Sequence, residues 1–172
     1  MDAMSLRTKL ADMSVMKKLF TAAEQEASRA GDGPPAAEHL LLAALALPDD
    51  SGRRALSEFD RTADDVRTAI GEVHAEALRY VGVEAGPDGR LDTGTPAAPP
   101  SGPYRSTGSL QVAFQRAVEL SKRDGSSGIR AAHVVAAVAE PEHGTTARAL
   151  DRLGIDRAAL VEAASTALDE PR

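Results

Sequence analysis

Leu19-Phe20-Thr21-Ala22-Ala23-Glu24, followed by Ala36-Ala37-Glu38-His39-Leu40, returns later in the chain as Ala113-Phe114-Gln115-Arg116-Ala117-Val118 and Arg130-Ala131-Ala132-His133-Val134. The register is constant at 94 positions: Phe20 and Phe114, His39 and His133, Arg54 and Arg148, Phe59 and Leu153, Val66 and Leu160. Apolar positions kept in step over about fifty residues mark an internal duplication, in which one small unit buries its apolar face against its own copy. Any ligand site is therefore expected twice, or between the copies.

Composition narrows the class. At 172 residues the chain has room for one ordinary domain or two half-sized units sharing a core. Aromatic residues make up only 3% and Trp is absent, so a core of Ala, Leu and Val on closely approaching helices is expected. A net charge of −6 and a pI near 5.2, with basic residues no denser than Lys17-Lys18 or Arg53-Arg54, argue against a nucleic-acid partner. The absence of Cys excludes disulfides, thiolate metal sites and a Cys nucleophile. No run approaches the ~20 apolar residues of a membrane span, and the first ten residues lack a signal-peptide core. A cytoplasmic protein is the expectation.

The spacing predicts helices over residues 14–30, 36–47, 52–59 and 62–80, and in the second copy over 109–124, 131–140, 145–153 and 157–168. The second helix, with Leu40-Leu41-Leu42-Ala43-Ala44-Leu45, is apolar nearly all round and should be the buried centre of its repeat. Thr62-Ala63-Asp64-Asp65 is a capping-box pattern, and Asp156 is placed to cap the last helix. Residues 82–108, with Gly86-Pro87-Asp88-Gly89 and Pro99-Pro100-Ser101-Gly102-Pro103, have linker composition and are expected to be mobile or extended. The organisation expected is an extension over 1–13, repeat one over 14–81, the linker, and repeat two over 109–170.

Chemistry-bearing groups are few. Glu38 is either a ligand for a basic group or an acid that complements a helix N-terminus. His39 and His133 occupy equivalent positions without a second ligating residue at helical spacing, which favours histidines bonded to backbone over a metal or a general base. His143 in Glu140-Pro141-Glu142-His143-Gly144 is explained by loop composition, and Gly125-Ser126-Ser127-Gly128 is a turn rather than a nucleophile elbow. Phe20 and Phe114 either shape a groove or, as is more usual for aromatics at repeat-equivalent helical positions, belong to the core. No catalytic, metal or cofactor site is expected, and the chain is not expected to be an enzyme.

The string Ala37-Glu38-His39-Leu40-Leu41-Leu42-Ala43-Ala44-Leu45, the later Ala149-Leu150-Asp151-Arg152-Leu153-Gly154-Ile155-Asp156 and the duplication together resemble the Clp N-terminal repeat domain of Hsp100 unfoldases of the ClpC and ClpA type. The resemblance spans roughly residues 14–80 and 107–168. It implies an all-α, pseudo-twofold fold of eight helices in two four-helix repeats, which in the family precedes AAA ATPase rings and recruits adaptors or substrates for degradation. These 172 residues hold no phosphate-cradling Gly-x-x-x-x-Gly-Lys-Ser/Thr motif, so the resemblance implies a stand-alone recruitment domain without ATPase activity. In some members the acidic residue of the Glu-His pair recognises phosphoarginine. By position that residue is Glu38 in the first repeat and Ala132 in the second, so one half-site is implied.

The family's N-terminal Phe-Thr is replaced by Ala11-Asp12. The resemblance places Asp12, Lys17, Lys18, Tyr104 and Arg105 on the surface between the repeat starts, where adaptors and cyclic-peptide antibiotics bind. The partners expected are Clp unfoldase or protease subunits, adaptors or substrates. Sequestration of a cyclic peptide, or docking on a Clp complex to adjust its assembly, remains open beside recruitment.

Overall fold

The computed structural model describes the backbone of residues 3–81 and 107–169, and side chains from residue 12 onward within those ranges. Among the described residues there are eight helices and no strand: α1 Ala3–Ala30, α2 Ala37–Leu45, α3 Ser51–Ser57, α4 Ala63–Tyr80, α5 Gly108–Arg123, α6 Ala131–Ala139, α7 Thr145–Arg152 and α8 Arg157–Asp169. The expected linker falls almost wholly on residues 82–106, outside the described residues. Helix α1 begins well before residue 14, where the sequence reading started it, because no Gly or Pro interrupts residues 3–30. It stops at Gly31, whose φ of 75° is readily adopted only without a Cβ.

The centre is built from α2 and α6. Every residue of α2 from Glu38 to Leu45 is buried, and so is all of α6. The two helices pack on each other, α1 covers α2, and α5 covers α6 in the same manner. Phe20 on α1 and Phe114 on α5 meet edge-to-face with ring centroids 5.2 Å apart, so residues paired by the duplication touch directly and are partly buried against the core, as expected. The third and fourth helices cross over: α3 packs on α8 and α4 on α7, which interlocks the halves. Gly52 permits a close approach of α3 to α6, since a Cβ there would lie 3.1 Å from both Ala131 Cβ and Val135 Cγ2. The symmetry is incomplete, because α8 lies much more closely on α6 than α4 does on α2.

Local chemistry sets the helix starts. Thr62 Oγ1 accepts from Asp65 N–H at 3.3 Å, and Asp65 Oδ2 accepts from Thr62 N–H at 2.7 Å, which is the capping box expected from sequence. Asp156 Oδ1 accepts from Ala159 N–H at 2.8 Å, as expected of a cap on α8. Thr62→Ala should therefore cost ~1 kcal/mol, a fall of ~2–4 °C in melting midpoint for a chain of this size, measured by thermal circular dichroism. No change would show that α4 is held by packing alone.

Candidate functional site

His39 and His133 stand three residues into α2 and α6 and are 2% and 0% exposed. In each, Nδ1 accepts the N–H of the residue before the helix, Ala36 at 3.0 Å and Arg130 at 2.9 Å. With Nδ1 an acceptor, Nε2 carries the proton and donates to a carboxylate: Asp32 Oδ2 at 2.9 Å in the first half and Asp124 Oδ2 at 2.7 Å in the second. The backbone role expected of both histidines is present. Their carboxylate partners were missed, because Asp32 and Asp124 do not occupy equivalent positions. The repeat counterpart of Asp32 is Ser126, whose Oγ lies 3.4 Å from His133 Nε2.

The first half carries a further layer. His74 on α4 sets Nδ1 3.2 Å from Asp32 Oδ2 and Nε2 3.3 Å from Glu38 Oε1, so one ring bridges two carboxylates. The hydrogen bonds His74 donates to Asp32 and Glu38 outweigh burial and hold its pKa up to about 10, well above an ordinary histidine. Burial alone would raise Asp32 and Glu38. His39 and His74 around Asp32, and His74 with the backbone N–H around Glu38, overcome it and hold both carboxyls below their ordinary values. The result is an imidazolium between two carboxylates. In the second half Ser126, Ala132 and Leu168 replace Asp32, Glu38 and His74, and no such cluster forms.

Glu38, 8% exposed, is shared between this network and a groove of about 610 Å³ where the halves meet. The groove is walled by the start of α2, by Ser109, Val112 and Ala113 on α5, by Ala137 and Val138 on α6, and by the turn into α7. Val112 is 65% exposed, and Arg116 and His143 line the same space. Glu140 and Glu119 hold the Arg116 guanidinium and keep it firmly protonated. The Thr146 hydroxyl is buried there with no hydrogen-bond partner among the described residues.

The remaining expected site residues are dispersed. Asp12 accepts from Ile129 N–H at 3.3 Å, tying α1 to the segment before α6, and it borders a cleft of about 340 Å³ between α1 and α5 with Met13, Met16, Phe114 and Val118. Lys18 is exposed at a different cleft, of about 420 Å³, with Asp49, Arg54 and Ile129. Lys17 is exposed on α1. Tyr104 and Arg105 lie outside the described residues. Among the described residues no group of three His, Asp or Glu side chains is arranged to hold a metal ion, and no helix is long and apolar enough to cross a membrane.

No protein-family model and no curated protein matches the sequence. Among solved structures, the N-terminal domain of the caseinolytic protease associated chaperone ClpD from Arabidopsis thaliana matches with a TM-score of 0.57. The match covers 89% of this chain and 91% of that one, at 22% identity. The fold is that of a Clp N-terminal domain. In this Clp N-domain fold the duplication, the two buried central helices and the paired histidines are one arrangement, since each histidine closes the start of the helix around which its half packs. The Asp32–His74–Glu38 bridge is an elaboration confined to one half.

Proposed function

We propose that this chain is a protein-interaction module of the Clp unfoldase–protease system, without catalysis of its own, that binds substrates or adaptors in the groove at the start of α2. One observation carries the reading: a carboxylate held ionised, Glu38, stands in the wall of a 610 Å³ groove whose other walls include Val112, Ala113, Ala137, Val138 and Pro141. That combination suits a basic side chain flanked by apolar neighbours on a partner. A guanidinium matches a carboxylate in both charge and planar geometry. For a phosphoarginine, the Arg116 guanidinium would supply a cation in the same groove.

Titration calorimetry with phosphoarginine, and with an arginine-phosphorylated protein, tests this. Glu38→Ala and Glu38→Gln should each weaken binding by ~10-fold or more, the range for losing a charge-assisted hydrogen bond, while helix content by circular dichroism is kept. In Glu38→Ala the melting midpoint should fall by a few degrees, because His74 Nε2 loses its carboxylate partner while Nδ1 keeps Asp32. Unaltered affinity in both variants would return Glu38 to a purely local role at the helix start.

A second reading, sequestration of a cyclic peptide, is favoured by the cleft between α1 and α5, where Met13 is 61% exposed beside Met16, Phe114 and Val118. Binding there would be indifferent to Glu38.

A further inference from the structure

The halves differ most at the starts of their central helices. In the first, Ala37 N–H donates to Ser109 Oγ at 3.3 Å, and the Glu38 carboxylate is stabilised by its own backbone N–H. In the second, Ala132 offers no carboxylate, and two side chains arrive from the other half instead. Ala131 N–H donates to Asp49 Oδ2 at 2.8 Å, and Ala132 N–H donates to Ser51 Oγ at 3.0 Å. Asp49 Oδ1 in turn accepts from Ser51 N–H at 3.1 Å and from the Ser51 hydroxyl, and Ser51 is fully buried. The repeat counterparts of Asp49 and Ser51 are His143 and Thr145, which line the groove beside Glu38. Asp49 itself lines the 420 Å³ cleft with Lys18 and Ile129, the positional counterpart of that groove.

We propose that Asp49, braced by Ser51, is a built-in occupant of the second half's cleft, so that the chain offers one partner groove and not two. The proposal rests on reading the Glu38 groove as the partner site. The physical reason is competition. The start of a helix attracts an anion, and at α6 that place is taken by a carboxylate of the same chain. An outside group must displace it against the high effective concentration of an intramolecular contact. A guanidinium finds no carboxylate at position 132, and the Asp49 carboxylate that lines the cleft is already engaged by Ala131 N–H and by Ser51. With no acid at position 132, Asp49 and Ser51 satisfy the α6 N–H groups from the other half, and the domain is one-sided.

Two readouts from the ¹⁵N-labelled full chain test this. Amide exchange of Ala131, measured relative to Val134 on the same helix, should speed up ~10-fold or more in Asp49→Ala, as loss of a hydrogen bond to a charged group requires. The amide of Ala37 should keep its rate relative to Leu41. Asp49→Asn, which retains an acceptor, should show a smaller change. In wild type, titration with phosphoarginine should move the amides of Ala37, Glu38 and Ser109 and leave Ala131 and Ala132 in place. Unchanged relative exchange in Asp49→Ala, or saturable movement of Ala131 and Ala132, would overturn the proposal. If phosphoarginine moves no amide at all, the reading of the Glu38 groove fails, and the exchange arm alone decides whether Asp49 occupies the second cleft.

Discussion

Leu40→Ala is expected to remove ~3–5 kcal/mol of stability, the upper range for a leucine truncated in a rigid core, and to lower the melting midpoint by ~6–20 °C. Leu40 has no exposed surface and sits on α2, which is buried from Glu38 onward and is covered by α1 and α6 with α4 and α5 at its flanks. The helices around it cannot close the void independently, since each is tied elsewhere: α1 through Phe20 to α5, α4 to α7, and α6 to α8. A cavity left at the junction of both halves should therefore persist. Val134→Ala, at the equivalent buried position on α6, should cost less because fewer methyl groups are lost. Tyr80→Ala, 93% exposed at the end of α4, should stay within ~0.5 kcal/mol. Equilibrium urea unfolding checks the series. A loss at Leu40 no larger than that at Tyr80 would remove α2 from the centre of the fold.

Stability should also fall as pH rises above neutrality, through His74. Its pKa is about 10 in the folded chain against 6.5 for an unperturbed histidine. A group raised by folding contributes fully below the unfolded value and loses that contribution as pH climbs through the folded one. The window is therefore about pH 6.5 to 10. At ~1.4 kcal/mol per pH unit the full difference would be ~4–5 kcal/mol, and solvent reaching the half-buried ring reduces it to on the order of 2–3 kcal/mol. Asp32 and Glu38 act in the opposite sense. Both are lowered by folding, so their contribution is present above the ordinary carboxylate range and is lost as pH falls below it.

Unfolding free energy measured from pH 2 to 10 should thus be highest in the mildly acidic region and decline on both sides, the acid decline setting in below about pH 4. His74→Leu, which installs the residue found at the equivalent Leu168, should flatten the alkaline decline and lower stability near pH 6, where Asp32 and Glu38 would face each other without a cation. An alkaline decline that survives in His74→Leu would assign the effect to other groups.

Much of this was legible in the order of residues. The constant offset linking Phe20 with Phe114 and His39 with His133 specified two copies, and each pair does take up matching positions. Helical periodicity located the helices to within a few residues. The exception was the start of α1, where an uninterrupted run of helix-compatible residues carries the helix past the expected boundary. Glu38 was singled out, but the two roles considered for it, ligand or helix-end acid, left out the third that the fold supplies, a partner for His74.

The amino-acid sequence by itself determined the fold class, the duplication and the caps, because these rest on interactions between residues a few positions apart and on a pattern that repeats. Only the tertiary structure decided where the charges go. His74 reaches Glu38 across 36 positions and Asp49 reaches Ala131 across 82. Neither contact has a repeat counterpart that would announce it, since Leu168 stands for His74 and His143 for Asp49. A buried carboxylate must find a donor wherever packing presents one. In this chain the packing of α4 and α3 across the two halves makes that choice.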